Sequence, residues 1–227
     1  MALLPNAPSV SGFAGPAVSR FSGSAPSVVA TAPPARWLLL IGDSKTAINL
    51  VHPEFGSDQG WQAPLAASLA AAIPAPVTWV NYGSGSQTVA TYAANLIAGA
   101  YADARPTTPP AAVLLNLGVN DAVAMPTQAA WQANYLAIVD WVRARYAVSP
   151  CYFMRWWSRN APVGTDDTEA GWIDTLITLR TQCFLGPDER VFLKGSDNGA
   201  TNTYDGTHMG TVGHLAVAAA WKAVLWP

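Results

Sequence analysis

Residues 37–46 read WLLLIGDSKT. Five bulky apolar residues, Trp37 to Ile41, give way within one step to a glycine, an acid, a serine, a lysine and a threonine. A short continuous apolar run reads as a strand buried on both faces, as in a parallel sheet. The polar sequel marks the turn where such a strand passes into a helix. Phosphate cradles and exposed nucleophiles are both placed at turns of this kind, so the rest of the chain has to decide between them.

Working outward, apolar runs alternate with amphipathic stretches from Trp37 onward. Strands are expected at 37–41, 77–81, 112–117, 151–156 and 191–194, and helices at 61–73, 87–99, 127–147, 167–183 and 210–225. Five β/α units with no internal repeat and no second shift of composition argue for one α/β sandwich over 36–227. Residues 1–35 differ: they are rich in Ala, Ser, Pro, Gly and Val, and Arg20 is the only charge before Arg36. They read as an extended arm or linker, with a disordered tail as the alternative. Phe13, Val18, Phe21, Val28 and Val29 favour partial packing.

The chain has 227 residues, 51% of them hydrophobic, which is ample for a core. Its net charge is −2, with only 12 Lys and Arg, scattered without clusters. That leaves no electrostatic footprint for nucleic acid or an anionic membrane. No apolar stretch approaches the ~20 residues that span a bilayer. The opening MALLPNAPSVSG lacks a basic region and is interrupted by Pro5 and Asn6, unlike a signal peptide. A soluble chain is expected.

A phosphate loop needs G-x-x-x-x-G-K-[ST] so that backbone N–H groups can wrap the phosphates. With Lys45 as its lysine, the two glycine positions hold Leu39 and Ser44, so that reading fails. A serine nucleophile instead needs an imidazole, itself held by an acceptor. The only histidines are His52, His208 and His214. His208 stands three residues after Asp205 in YDGTHMGTVGH, just before the final helix. That spacing lets the carboxylate reach the imidazole Nδ1 while Nε2 faces the neighbouring strand ends.

Four blocks now stand in order: IGDS at 41–44, NYGSGSQT at 81–88, LGVND at 117–121 and DGTH at 205–208. In this the chain resembles the SGNH hydrolases, the GDSL family of esterases and lipases. GDS alone proves little, but three motifs in order, each after an expected strand, are a strong joint signal. The resemblance implies a three-layer α/β/α sandwich with a flavodoxin-like five-stranded parallel sheet. It further implies Ser44 as nucleophile, His208 as general base and then acid, and Asp205 as its orienter. The Ser44 N–H, the Asn120 side-chain amide and a backbone N–H of the second block would hold the oxyanion.

The second block departs from the family pattern. Aligned on Asn81 and Thr88, the position usually held by the donor glycine falls on Ser86, and Gly85 lies one residue earlier. A donor in the left-handed region would favour glycine, so both remain candidates. Lys45 also departs from the small or apolar residue usual after the serine. It reads as a solvated lysine rather than a recogniser of substrate charge, and Asp43 as a cap for the turn. Asp121 is expected to bond its own loop, His214 to point to solvent, and His52 to lie near the strand ends as a candidate pocket residue.

No His or Cys spacing matches a metal site, so hydrolysis without a cofactor is expected. Cys151 opens the fourth expected strand and Cys183 ends the helix after it, which would return it to the same edge. The sulfurs would then meet within the ~4.4–6.8 Å Cα window of a disulfide, favouring an oxidising, extracellular setting; two buried thiols are the alternative. The segment Arg155-Trp156-Trp157-Ser158-Arg159-Asn160 should open beside the site, with Trp157 and Arg159 as candidate substrate contacts. The expected substrate is a short-chain, chiefly acetyl, ester of a carbohydrate or similar polar alcohol. The alternatives are a lipase or thioesterase for longer acyl chains and a non-catalytic binding module on the same scaffold.

Overall fold

The apolar run at the head of the sequence forms the middle of strand β1 (Arg36–Gly42), in which every residue after Arg36 is buried. The structure, a computed structural model, describes residues 36–47, 60–73, 75–101, 106–194 and 197–227. The other strands are β2 (Val77–Gly83), β3 (Ala112–Asn116), β4 (Cys151–Arg155) and β5 (Cys183–Asp188). The helices are α1 (Gln62–Ala72), α2 (Val89–Ile97), α3 (Asp121–Ala124), α4 (Gln128–Arg145), α5 (Thr165–Leu176), α6 (Glu189–Phe192) and α7 (Thr211–Leu225).

All five strands run parallel in the order β2-β1-β3-β4-β5. Strand alternation sorts the core into two layers. Trp37, Leu39 and Ile41, with Val113, Leu115, Cys151 and Phe153, pack against residues of α2, α4 and α5. Leu38 and Leu40, with Ala112, Leu114, Tyr152 and Met154, pack against residues of α1 and α7. The molecule is thus the three-layer α/β/α sandwich expected, and burial on both faces is why its central strands read as unbroken apolar runs. The chain passes from β1 to β2 on one side and then to β3 on the other, so the strand order reverses between β1 and β3, and in open parallel sheets it is at the carboxyl ends flanking such a reversal that ligands bind.

Two expected elements are corrected. The fifth strand is Cys183–Asp188, not 191–194, whose first half falls in α6. Its sequence CFLGPD holds Gly186 and Pro187, which read as a turn, yet β5 is an edge strand, where a missing N–H is tolerated. A Cβ at Gly186 would lie 2.7 Å from the Trp221 ring and 3.0 Å from the Phe153 backbone, so the glycine admits close packing of α7 on the sheet. The fourth long helix, expected to reach 183, ends at Leu176.

Cys183 therefore opens a strand, and it stands directly opposite Cys151 in the β4–β5 register. Both are buried free thiols, so the expected disulfide is also corrected. Burial, with the neighbouring Cys183 adding to it, pushes the Cys151 thiol up to about 12. No helix among the described residues is long and apolar enough to cross a membrane. The expected arm at 1–35 and His52 lie outside the described residues.

Candidate active site

At the end of β1 the chain turns so tightly that a side chain on Gly42 would collide with Thr46 and approach Asn116 O to 2.8 Å. Asp43 N–H donates to Asn116 O (3.1 Å), and the N–H groups of Thr46 and Ala47 both return to Asp43 O (3.0 Å each). The Asp43 carboxylate accepts from Lys45 N–H (3.0 Å), a cap of the turn. Its other oxygen has no hydrogen-bond partner among the described residues. Burial raises the Asp43 pKa to about 7 against the pull of the Lys45 N–H and the Lys45 charge.

This turn presents Ser44, whose Oγ lies 2.9 Å from His208 Nε2. His208 Nδ1 lies 2.6 Å from Asp205 Oδ2, and Asp205 Oδ1 accepts from the backbone N–H of Thr207 (2.8 Å) and of His208 (2.7 Å). Burial works against the Asp205 carboxylate, but the His208 ring and these two N–H groups outweigh it and hold its pKa below the ordinary value. An ionised carboxylate only accepts hydrogen bonds. Nδ1 must therefore carry the proton, and in a neutral imidazole that leaves Nε2 with a lone pair facing the Ser44 hydroxyl. The ring of Tyr204 stacks on His208 at 5.8 Å between centroids.

The second and third blocks meet at the same edge of the sheet, where Gly42 is in register with Gly83 on one side and Asn116 on the other. Asn120 Nδ2 donates to Gln87 O (2.9 Å), joining the loop after β3 to the loop after β2. In that second loop the residue in the left-handed region is Ser86, with φ of 58°, and not Gly85. The glycine is thus not at the position whose conformation would call for it, and the serine carries the strain. Asp121 reaches across to accept from Val89 N–H at the start of α2 (2.9 Å), and burial raises its pKa to about 6.

Several expectations about individual side chains are overturned. Trp157 is 3% exposed and belongs to the core beside Leu193 and Met209, because the chain stays buried for three residues past the end of β4. It offers no face to a substrate. Arg159 is exposed, and its backbone N–H donates to Gly206 O (2.7 Å), which sets it against the Asp205–His208 loop. Lys45 is not solvated: its ammonium is buried in an ion pair with Glu189 and donates to Trp157 O (2.5 Å). His214 is half-buried, and burial lowers its pKa to about 4.

Glu189 was not among the residues singled out from the sequence. Its only signal is indirect, since a buried lysine at 45 demands a counter-charge somewhere. Among the described residues no three His, Cys, Asp or Glu side chains group as metal ligands do. The arrangement of Ser44, His208 and Asp205 is suited to proton transfer: an imidazole poised to take the proton of a serine hydroxyl, held by a carboxylate.

Comparison with known proteins agrees with this architecture. The model of the GDSL-like Lipase/Acylhydrolase family matches residues 40–216, most of the chain. Among solved structures the fold is similar to TesA (TM-score 0.67, 22% identity, 85% of this chain and 99% of that one). It is also similar to the psychrotrophic esterase EstA from Pseudoalteromonas sp. (0.61, 17%, 82% and 93%). A third similar structure is AlinE4, an SGNH-hydrolase family esterase (0.59, 20%, 86% and 97%). A search of curated proteins finds no sequence match. With the motif blocks in order on this sandwich and the family model spanning them, the chain belongs to the GDSL-like lipase/acylhydrolase family, the SGNH esterases and lipases.

Proposed function

We propose that the protein is a serine ester hydrolase that removes short acyl groups, chiefly acetyl, from small polar esters. The observation that carries the proposal is the hydrogen-bonded chain from Asp205 through His208 to Ser44. In this reading Ser44 Oγ attacks the ester carbonyl carbon while His208 Nε2 takes its proton. The charge that develops on the carbonyl oxygen is met by the N–H groups of Ser44 and Ser86 and by Asn120 Nδ2; each such donor is worth roughly 10²–10³ in rate. The imidazolium, stabilised by Asp205, then gives its proton to the departing alkoxide. Water repeats the sequence on the acyl-enzyme, with His208 again as base.

The alcohol side of the proposal is narrower than the sequence implied. With Trp157 in the core, the aromatic platform it was expected to offer a sugar ring is gone, and among the described residues exposed Arg159, beside the Asp205–His208 loop, is the candidate polar contact that remains. One observation favours longer acyl chains instead. Val123 and Met125, on the segment that follows Asn120 in the chain, are 84% and 66% exposed and supply apolar surface there.

Acetyl, butyryl and octanoyl esters of 4-nitrophenol separate the readings. The proposal expects kcat/KM to fall from acetyl to octanoyl. A preference for octanoyl that Val123→Ser reduces would replace it with the long-chain reading. No turnover of any ester, with no labelling of Ser44 by a fluorophosphonate, would favour a binding module.

A further inference from the structure

Lys45 and Glu189 are 144 residues apart in sequence, yet their side chains are wholly buried and paired one residue after the candidate nucleophile. Glu189, the first residue after β5, gathers several strand ends at once. Its Oε2 takes the Lys45 ammonium and the Trp157 N–H (2.9 Å), and its Oε1 takes the Asn116 amide (3.4 Å). Lys45 closes the figure by donating to Trp157 O (2.5 Å). Both backbone polar groups of Trp157 are thereby pinned to the turn that carries Ser44.

The residues that follow Trp157 hold the other half of the site. The hydroxyls of Ser158 and Thr207 meet at 2.6 Å. Arg159 N–H donates to Gly206 O (2.7 Å), and Asn160 Nδ2 donates to Asp205 O (2.8 Å) and to Thr207 Oγ1 (3.1 Å). Each residue between Asp205 and His208 is thus gripped by the segment 158–160. A Cβ on Gly206 would come within 2.8 Å of the Arg159 side chain and 3.0 Å of the Asn160 side chain, which shows how closely the two segments lie.

We infer that 157–160 is a strap that sets the distance between Ser44 and His208, with Lys45, Glu189 and Asn160 as positioning residues. The inference rests on the hydrolase reading and adds to it the device that holds nucleophile and base in register. A buried ion pair is an inefficient way to stabilise a fold, since apolar residues of similar volume often do as well or better. What a charge pair with directed hydrogen bonds supplies is a fixed geometry at three separate chain segments. A misplacement of ~1 Å between reacting groups is enough to cost on the order of 10²-fold in rate.

The test removes the strap's anchors while leaving the atoms of the reaction alone. Lys45→Met alone would strand a buried carboxylate, so the paired variant Lys45→Met/Glu189→Leu is used, with Asn160→Ala at an exposed position as the second arm. Three quantities are measured with the full chain: kcat and KM for 4-nitrophenyl acetate, and the second-order rate of fluorophosphonate labelling. The paired variant should keep a cooperative thermal transition but lose about 10–10²-fold in kcat at near-constant KM, with labelling slowed by the same factor. Asn160→Ala should move both in the same direction by a smaller factor. Wild-type kcat and labelling in a folded paired variant, or in Asn160→Ala, would overturn the strap. If the wild-type protein itself neither turns over nor labels, the hydrolase reading fails first, and the inference with it.

Discussion

The two ends of the Ser44–His208 hydrogen bond are built in opposite ways. Asp43, Ser44, Lys45 and Thr46 are 1%, 9%, 3% and 1% exposed, and their backbone is stitched into β1 and β3. The Asp205 and His208 side chains are 39% and 29% exposed, on a loop whose neighbours along the chain give it one isolated bridge, Thr203 to Met209. The nucleophile end is part of the core, whereas the base end is held in place from outside by another segment. The two ends also differ in electrostatics, although burial pushes both carboxyls the same way. Asp43 is raised to about 7 by loss of water, while Asp205 is held below its ordinary value because hydrogen bonds outweigh that loss.

The contrast predicts that damage to the base end is chemical and damage to the nucleophile end is chemical and structural together. His208→Ala should lower kcat by on the order of 10⁴-fold or more, with little change in KM and none in thermal stability. Asp43→Ala should do both kinds of harm. It deletes the buried acceptor of the Lys45 N–H, at a cost of about 1–3 kcal/mol, so the melting temperature falls by several degrees as kcat falls. Steady-state kinetics beside thermal denaturation of the two variants reads this directly. Equal loss of stability in both would erase the distinction.

A smaller effect concerns pH. The Glu169 carboxyl, buried and accepting from Trp156 Nε1 (2.9 Å), is raised to about 8, chiefly by burial. A carboxyl with a raised folded pKa favours the fold most below its unfolded pKa, and that contribution is lost as pH rises to the folded value. For Asp43 the window runs from 3.8 to about 7, and for Glu169 from 4.5 to about 8. Asp205 has the opposite sign, but its contribution is complete above its ordinary value of 3.8. His214, lowered to about 4, contributes fully above 6.5. Between pH 6.5 and 8 the buried carboxyls are thus left to dominate, and stability should fall with rising pH. Glu169→Gln keeps the acceptor for Trp156 and should remove the larger share of that fall. An unchanged slope in this variant would show that Glu169 does not titrate there.

How much of this was legible depended on distance along the chain. Strands with both faces in the core announced themselves as apolar runs, and Asp205 and His208, three residues apart, could be paired on one turn. The strand 183–188 was hidden because Gly186 and Pro187 are breakers everywhere except at a sheet edge or a close helix contact. Cys151 and Cys183 were expected to approach through a returning helix; they face each other because their strands pair in register. Lys45 was misread for a related reason. A lysine after a turn is ordinarily solvated, and nothing local pointed to Glu189, which only the folding of β5 beside β4 brings to it. Trp157 looked like a loop residue because strand hydrogen bonding ends at Arg155, while burial continues beyond it.

The most direct test of the central claim is the site of covalent modification. The native protein is treated with a fluorophosphonate, digested and mapped by mass spectrometry, with Ser44→Ala and His208→Ala alongside. A serine whose hydroxyl faces the lone pair of an oriented imidazole should react ahead of all others. The account predicts one adduct on the peptide that contains Ser44, absent in Ser44→Ala and formed far more slowly in His208→Ala. An adduct on a different serine, or labelling that persists in Ser44→Ala, would contradict it.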